Sequence, residues 1–161
     1  MNGIPAARAD VLGLRSYQAG VQVDNTIRLN ANEAPSRDES PSLNRYPEVR
    51  PAALRARLAD LFDVPAANLI VTRGSSEAID VLIRAWCRAY SSSVITTPPT
   101  FDMYRVYAEL QGASLIHAPL TADDFRLDVD AVLTNVAADT RLVFLCSPNN
   151  PTGTLVPAAD I

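Results

Sequence analysis

Val94 to His117 read VITTPPTFDMYRVYAELQGASLIH, and this stretch decides the fold. Val94 to Thr97 is a short apolar run, stopped by Pro98-Pro99, where the missing N–H groups end any ladder of hydrogen bonds. Met103, Val106, Tyr107 and Leu110 then recur at helical spacing and predict a helix from about Phe101 to Gln111. Gly112 follows as its C-terminal stop. Ser114 to His117 is a second apolar run. Strand, helix and strand in succession make a βαβ unit, whose two strands lie parallel because the chain must cross over a sheet face between them.

The same alternation extends in both directions. Upstream, Leu69-Ile70-Val71-Thr72 reads as a short buried strand, Arg73-Gly74-Ser75-Ser76 as a turn, and Glu77 to Tyr90 as a helix. Its apolar face is Ile79, Leu82, Ile83, Trp86, Cys87 and Tyr90. Further upstream, Leu54, Leu58, Leu61 and Phe62 share one helix face, with Pro51 suited to the first turn. Downstream, Val129, Val132, Leu133 and Val136 mark a shorter helix, and Leu142 to Cys146 is the fourth and most apolar strand. The expected class is therefore α/β, a mainly parallel sheet with flanking helices. Residues 1–50 carry Pro5, Pro35, Pro41 and Pro47 among polar residues and read as an irregular N-terminal arm, with the domain proper over 51–161.

Composition narrows the function classes. The chain has 161 residues, 48% hydrophobic and 20% charged, which suits a globular domain and excludes a disordered tail. A formal charge of -4 argues against non-specific nucleic-acid binding, which needs a basic footprint. No run of apolar residues is long enough to span a bilayer, and Met1 to Asp10 lack the pattern of a secretory signal. A cytoplasmic location is expected. Cys87 and Cys146 lie inside apolar runs, as buried reduced thiols do. All fourteen basic residues are arginine, so these residues offer no lysine for imine chemistry. Pro157-Ala158-Ala159-Asp160 reads as a helix just beginning, and the chain is expected to be the front portion of a larger protein. An isolated front portion would leave sheet edges and apolar faces open, and is expected to be marginally stable or to aggregate.

Three loops follow strand ends, where open α/β sheets place ligands. Gly74-Ser75-Ser76-Glu77 can present unpaired backbone N–H groups and two hydroxyls to a phosphate, although an ordinary helix cap uses the same residues. Phe101 and Tyr104, on a loop stiffened by Pro98-Pro99, can stack on a planar ring or simply pack beneath the loop. Ser147-Pro148-Asn149-Asn150-Pro151-Thr152-Gly153 is the most specific of the three. Its prolines fix the path on which an asparagine amide is aimed. Asp102, Asp123, Asp124, Asp128 and Asp130 read as loop or helix-start residues, and His117 as a core or rim residue. No metal ligands are assigned.

Ser147 to Gly153 resembles the asparagine loop of the class I/II pyridoxal-phosphate aminotransferases, which are fold type I enzymes. Leu29-Asn30-Ala31-Asn32-Glu33, Asn44-Arg45-Tyr46-Pro47-Glu48, Thr72 to Glu77 and Pro98 to Tyr104 narrow the likeness to the histidinol-phosphate aminotransferase branch. The resemblance covers nearly the whole chain, and corresponds to that family's N-terminal arm and the first part of its large domain. It implies pyridoxal 5'-phosphate as cofactor. Asn150 would bond the ring's phenolic oxygen, and the Ser75 and Ser76 N–H groups would hold the phosphate. Phe101 stands where the family commonly stacks a tyrosine on the ring. Tyr46 would reach the partner's cofactor phosphate across a homodimer interface, and Tyr17 and Asn30 would lie near the substrate.

The implied reaction is amino transfer between L-histidinol phosphate or imidazole-acetol phosphate and the pair glutamate/2-oxoglutarate, in histidine biosynthesis. The family's Schiff-base lysine corresponds to a position past Ile161, so no catalytic residue is assigned within these residues, and the 161 residues alone are expected to be inactive. An aromatic aminotransferase or a threonine-phosphate decarboxylase of the same fold, and a non-catalytic remnant, stay open as alternatives.

Overall fold

The structure is a computed structural model that describes residues 5–17, 26, 27, 29, 31–35 and 44–161. The chain divides into two compact units. One comprises Met1–Leu14 with Arg73–Ile161, the other Arg15–Thr72.

The larger unit is built on a three-stranded parallel sheet. Strand β1 (Ser93–Thr96) lies between β2 (Ser114–His117) and β3 (Thr140–Phe144), in the order β2-β1-β3. All four residues of β1 are buried, as expected of a strand with neighbours on both sides and helices on both faces. Alternate residues face opposite ways. Val94 packs with Ile79, Ile83 and Cys87 of helix α3 (Ser75–Trp86) and its end, and with Ala108 of α4 (Met103–Gln111). Ile95 faces the other side, where Val132 of α5 (Val129–Thr134) and Ala118 cover it.

Local chemistry sets the boundaries of these helices. Gly112 ends α4 in the left-handed conformation, φ 73°, and a Cβ there would come within 3.3 Å of the Ala89 Cβ. Asp128 begins α5 by accepting the Ala131 N–H at 2.9 Å. Asp102 precedes α4, but its carboxylate is held by Arg105 at 2.6 and 2.8 Å rather than by a helix N–H.

Several expectations are corrected. Leu69 to Thr72 is not a strand: no described strand pairs with it, and Ile70 is 77% exposed. A strand without a partner leaves its backbone groups to solvent. The third helix starts earlier, at Ser75, and ends at Trp86, because Cys87 already has extended backbone angles; Tyr90 is exposed. The last strand is Thr140–Phe144 rather than 142–146, since β1 is only four residues long and offers no partner to Leu145 or Cys146. Cys146 is consequently half-buried, whereas Cys87 is buried and its thiol pKa is pushed up by that burial.

In the smaller unit, helix α2 (Ala52–Phe62) follows Pro51, which stands just before the first turn. Its apolar residues Leu61 and Phe62 are exposed. Arg55 donates to the Ala66 carbonyl of the short 3-10 turn Ala66–Asn68. Among the described residues no helix is long and apolar enough to cross a membrane.

The segment from Pro5 to Asp10, which leads into the short helix α1 (Ala9–Leu12), is tied to the end of α3. Arg8 donates its amide to the Ala85 carbonyl at 2.9 Å, and its guanidinium to the Arg84 and Cys87 carbonyls, each at 3.1 Å. These are carbonyls that a helix terminus leaves unpaired, and a cation there also meets the negative end of the dipole. Asp10 accepts from Arg8 at 2.5 Å and from Arg88 at 3.1 Å, and the Trp86 indole donates to the Pro5 carbonyl at 3.0 Å. The hydrogen bond from Arg8 holds the Asp10 carboxyl down at a pKa of about 2. Its stabilisation is therefore present above the ordinary carboxylate pKa and lost as pH falls toward 2. Asp10→Asn at neutral pH should change the fluorescence of Trp86, the sole tryptophan, in the way that acidifying the wild type from about pH 4 to about pH 2 does. Emission unmoved by either would contradict this tie. In the core, Ile83→Ala should cost about 2–5 kcal/mol in a denaturant melt, since Ile83 is fully buried.

Candidate functional site

Parallel strands all end on one edge of their sheet, so the segments after β1 and β3 emerge side by side. The start of α3 belongs to the same edge. The other end of α3 lies where strands begin: Gln111, just before β2, donates to the Cys87 carbonyl, and Ser92, just before β1, accepts the Arg88 N–H. Twelve helical residues span about 18 Å, more than the length of a four-residue strand, and carry the first turn of α3 to the strand-end edge.

Asn149 joins the two loops. Its Nδ2 donates to the Pro99 carbonyl at 2.9 Å and to Thr152 Oγ1 at 2.8 Å, and Thr100 Oγ1 donates to its Oδ1 at 2.9 Å. Its backbone is equally engaged: the N–H donates to the Thr154 carbonyl and its own carbonyl accepts from Gly153, both at 2.7 Å. Asn149 is buried, while its neighbour Asn150 is exposed and its amide bonds no described residue. Sequence reasoning aims at Asn150 and misses Asn149. The doubled asparagine is the only sign of it, and identical neighbours do not reveal which of the two turns inward.

Three rings back the loops. Phe101 meets Tyr104 edge-on with centroids 5.6 Å apart, and Tyr104 stacks on Phe144 at 4.7 Å. Burial first, and then the Cys146 thiol, push the Tyr104 phenol up to about 12, so it stays protonated at neutral pH. Phe101 is therefore both held beneath the loop and half-exposed at the edge.

At the start of α3, Gly74 has φ 80° and ψ 176°, a region that side chains avoid, and a Cβ there would meet nothing within 4 Å. Among the described residues, no partner is present for the N–H groups or hydroxyls of Ser75 and Ser76. Glu77 accepts the Arg73 N–H at 2.5 Å and the Arg73 guanidinium at 2.8 and 3.0 Å, and these bonds lower its carboxyl pKa. The carboxylate is thus turned back onto Arg73, leaving the positive helix end to an anion.

Ser75, Ser76, Phe101 and Asn150 thus share one edge of the larger unit. Tyr17 and Tyr46 belong to the smaller unit, where they are 79% and 61% exposed. There, Glu33 accepts the Tyr46 N–H at 3.0 Å and the Arg45 guanidinium at 2.6 Å. Asn30 lies outside the described residues.

Residues 9–161 match the family Aminotransferase class I and II. The chain belongs to this family. It is 42% identical over 157 residues to a histidinol-phosphate aminotransferase of Francisella philomiragia, covering 96% of this chain and 43% of that protein. It is 43% identical over 162 residues to one of Stenotrophomonas maltophilia, covering 96% and 44%. The chain therefore spans less than half the length of these relatives. Among solved structures, N-succinyldiaminopimelate aminotransferase from Mycobacterium tuberculosis aligns with a TM-score of 0.63 at 30% identity, over 74% of this chain and 33% of that one.

Pyridoxal 5'-phosphate is the cofactor of this family, and the chemistry of the edge fits it: free N–H groups for a phosphate, a ring at the edge and an unengaged amide. Gly74→Ala should cost about 1–3 kcal/mol from backbone strain alone and speed amide exchange at Ala78, whose N–H donates to the Gly74 carbonyl. A variant with wild-type stability and exchange would contradict the conformation described.

Proposed function

We propose that this chain supplies the cofactor-binding edge of a pyridoxal-phosphate aminotransferase acting on L-histidinol phosphate or imidazole-acetol phosphate, with glutamate and 2-oxoglutarate as the amino donor and keto acceptor pair. The observation that carries the reading is the unengaged set on one sheet edge: the Ser75 and Ser76 donors and the Asn150 amide. The identity to histidinol-phosphate aminotransferases supports the substrate and a place in histidine biosynthesis. A cytoplasmic location accords with that role.

In this reading the Ser75 and Ser76 N–H groups and hydroxyls bind the cofactor phosphate, helped by the dipole of α3. Asn150 donates its amide to the phenolic oxygen and favours its charged form. Phe101 lies against the ring and keeps water from it. When bound, the cofactor supplies an electron sink for carbanions; the protein orients it. Tyr17 and Asn30 face the substrate, and Tyr46 serves the partner's cofactor phosphate in a homodimer. The 161 residues contain no lysine, so the amine that holds the cofactor covalently comes from outside them.

The test is glutamate formation by the gene product as encoded, given L-histidinol phosphate and 2-oxoglutarate, with phenylalanine and threonine phosphate in parallel. Activity is expected with histidinol phosphate, falling about ten- to a hundredfold in Asn150→Ala, the loss of one hydrogen bond to a charged oxygen. Preference for phenylalanine, or consumption of threonine phosphate, would move the reading to another enzyme of the same fold. Cofactor bound without any turnover would favour the non-catalytic alternative.

A further inference from the structure

We propose that Asn149 is the positioning residue of this site, a buried amide that locks the loop after β1 to the loop after β3 and thereby sets where Phe101 and Asn150 stand relative to one another. The inference rests on the reading of Asn150 and Phe101 given above, and extends it to a residue that touches neither cofactor nor substrate.

The geometry carries it. An asparagine amide offers two donor hydrogens and one acceptor oxygen, and here each is used on a different partner. The two hydrogens go to the Pro99 carbonyl at 2.9 Å and Thr152 Oγ1 at 2.8 Å, and the oxygen takes the Thr100 hydroxyl at 2.9 Å. Pro99 and Thr100 immediately precede Phe101 in the first loop, and Thr152 lies two residues beyond Asn150 in the second. Thr100 and Asn149 are thus each adjacent in sequence to the group they place, Phe101 and Asn150. Its own backbone is pinned by Thr154 and Gly153 at 2.7 Å each, so the amide is a fixed point rather than a follower. Thr152 Oγ1 in turn shares a 2.8 Å hydrogen bond with Thr154 Oγ1, and Thr154 donates to the Phe125 carbonyl at 3.0 Å. The lock thus continues into the segment between β2 and α5. The two nearest residue types do not satisfy this arrangement: aspartate lacks the donors, and glutamine is one carbon longer in a buried position.

The experiment uses the gene product as encoded and pyridoxal 5'-phosphate as the probe. The first readout is the pH midpoint of the bound cofactor's absorbance change, which a merely destabilising substitution leaves in place. Asn149→Ala is expected to raise that midpoint by about one pH unit, as Asn150→Ala does, because a displaced Asn150 no longer favours the charged oxygen. The double variant is expected to shift no further than Asn150→Ala alone, since both changes remove one interaction. Thr100→Val removes a single bond of the lock, and is expected to shift the midpoint in the same direction by less. It also keeps the test open if Asn149→Ala does not fold. A wild-type midpoint in both variants, or additive shifts in the double variant, would overturn the proposal. The second readout is amide exchange at Tyr104, whose N–H donates to the Phe101 carbonyl, and at Gly153, whose N–H donates to the Asn149 carbonyl. If the wild type gives no bound-cofactor absorbance, the proposed function falls, and exchange then decides the lock alone. Loss of protection at both amides on substituting Asn149 supports it, and unchanged protection overturns it.

Discussion

Burial of β1 on both faces is the constraint from which the larger unit follows. A strand with neighbours on each side and helices above and below has no polar face, so Val94 and Ile95 are committed to opposite cores and the strand is held in a single register. Because both neighbours run parallel to it, the chain must return over a sheet face each time, through α4 and then α5. The same parallel order collects the loops at one edge. The position of the site is thus a consequence of packing, reached before any catalytic residue is considered.

On that edge the polar groups divide into those that hold the scaffold and those left unengaged. Asn149, Thr100, Thr152 and Thr154 bond one another, and Glu77 is folded back on Arg73. Ser75, Ser76 and Asn150 have no described partners. Donors kept free beside fully bonded neighbours are what a ligand with a phosphate and a ring oxygen requires, since binding then displaces no internal hydrogen bond. The raised pKa of Tyr104 belongs to the scaffold too: a neutral phenol stacked on Phe144 places no charge behind Phe101.

How much of this was legible in the sequence depends on the range of the interaction responsible. The βαβ unit is local, and the spacing of Met103, Val106 and Tyr107 predicts α4 to within two residues at its start. Strand limits depend on partners far along the chain. The apolar run Leu142 to Cys146 therefore overestimates where β3 ends, and the shorter run Leu69 to Thr72 pairs with no described strand. The Ser147 to Gly153 motif is visible because two prolines and two asparagines rarely share a turn by chance. The division of labour between Asn149 and Asn150 is not visible, because it depends on which amide meets Pro99, a residue fifty positions earlier. The tie of Arg8 to the end of α3 is hidden for the same reason.

The central claim is that the start of α3 and the asparagine loop together cradle one pyridoxal-phosphate molecule. The most direct measurement is a crystal structure of the gene product grown with pyridoxal 5'-phosphate. The phosphate is expected within hydrogen-bond distance of the Ser75 and Ser76 N–H groups, with the ring against Phe101 and its phenolic oxygen on the Asn150 amide. A phosphate bound elsewhere, or a ring that leaves Asn150 untouched, would contradict it.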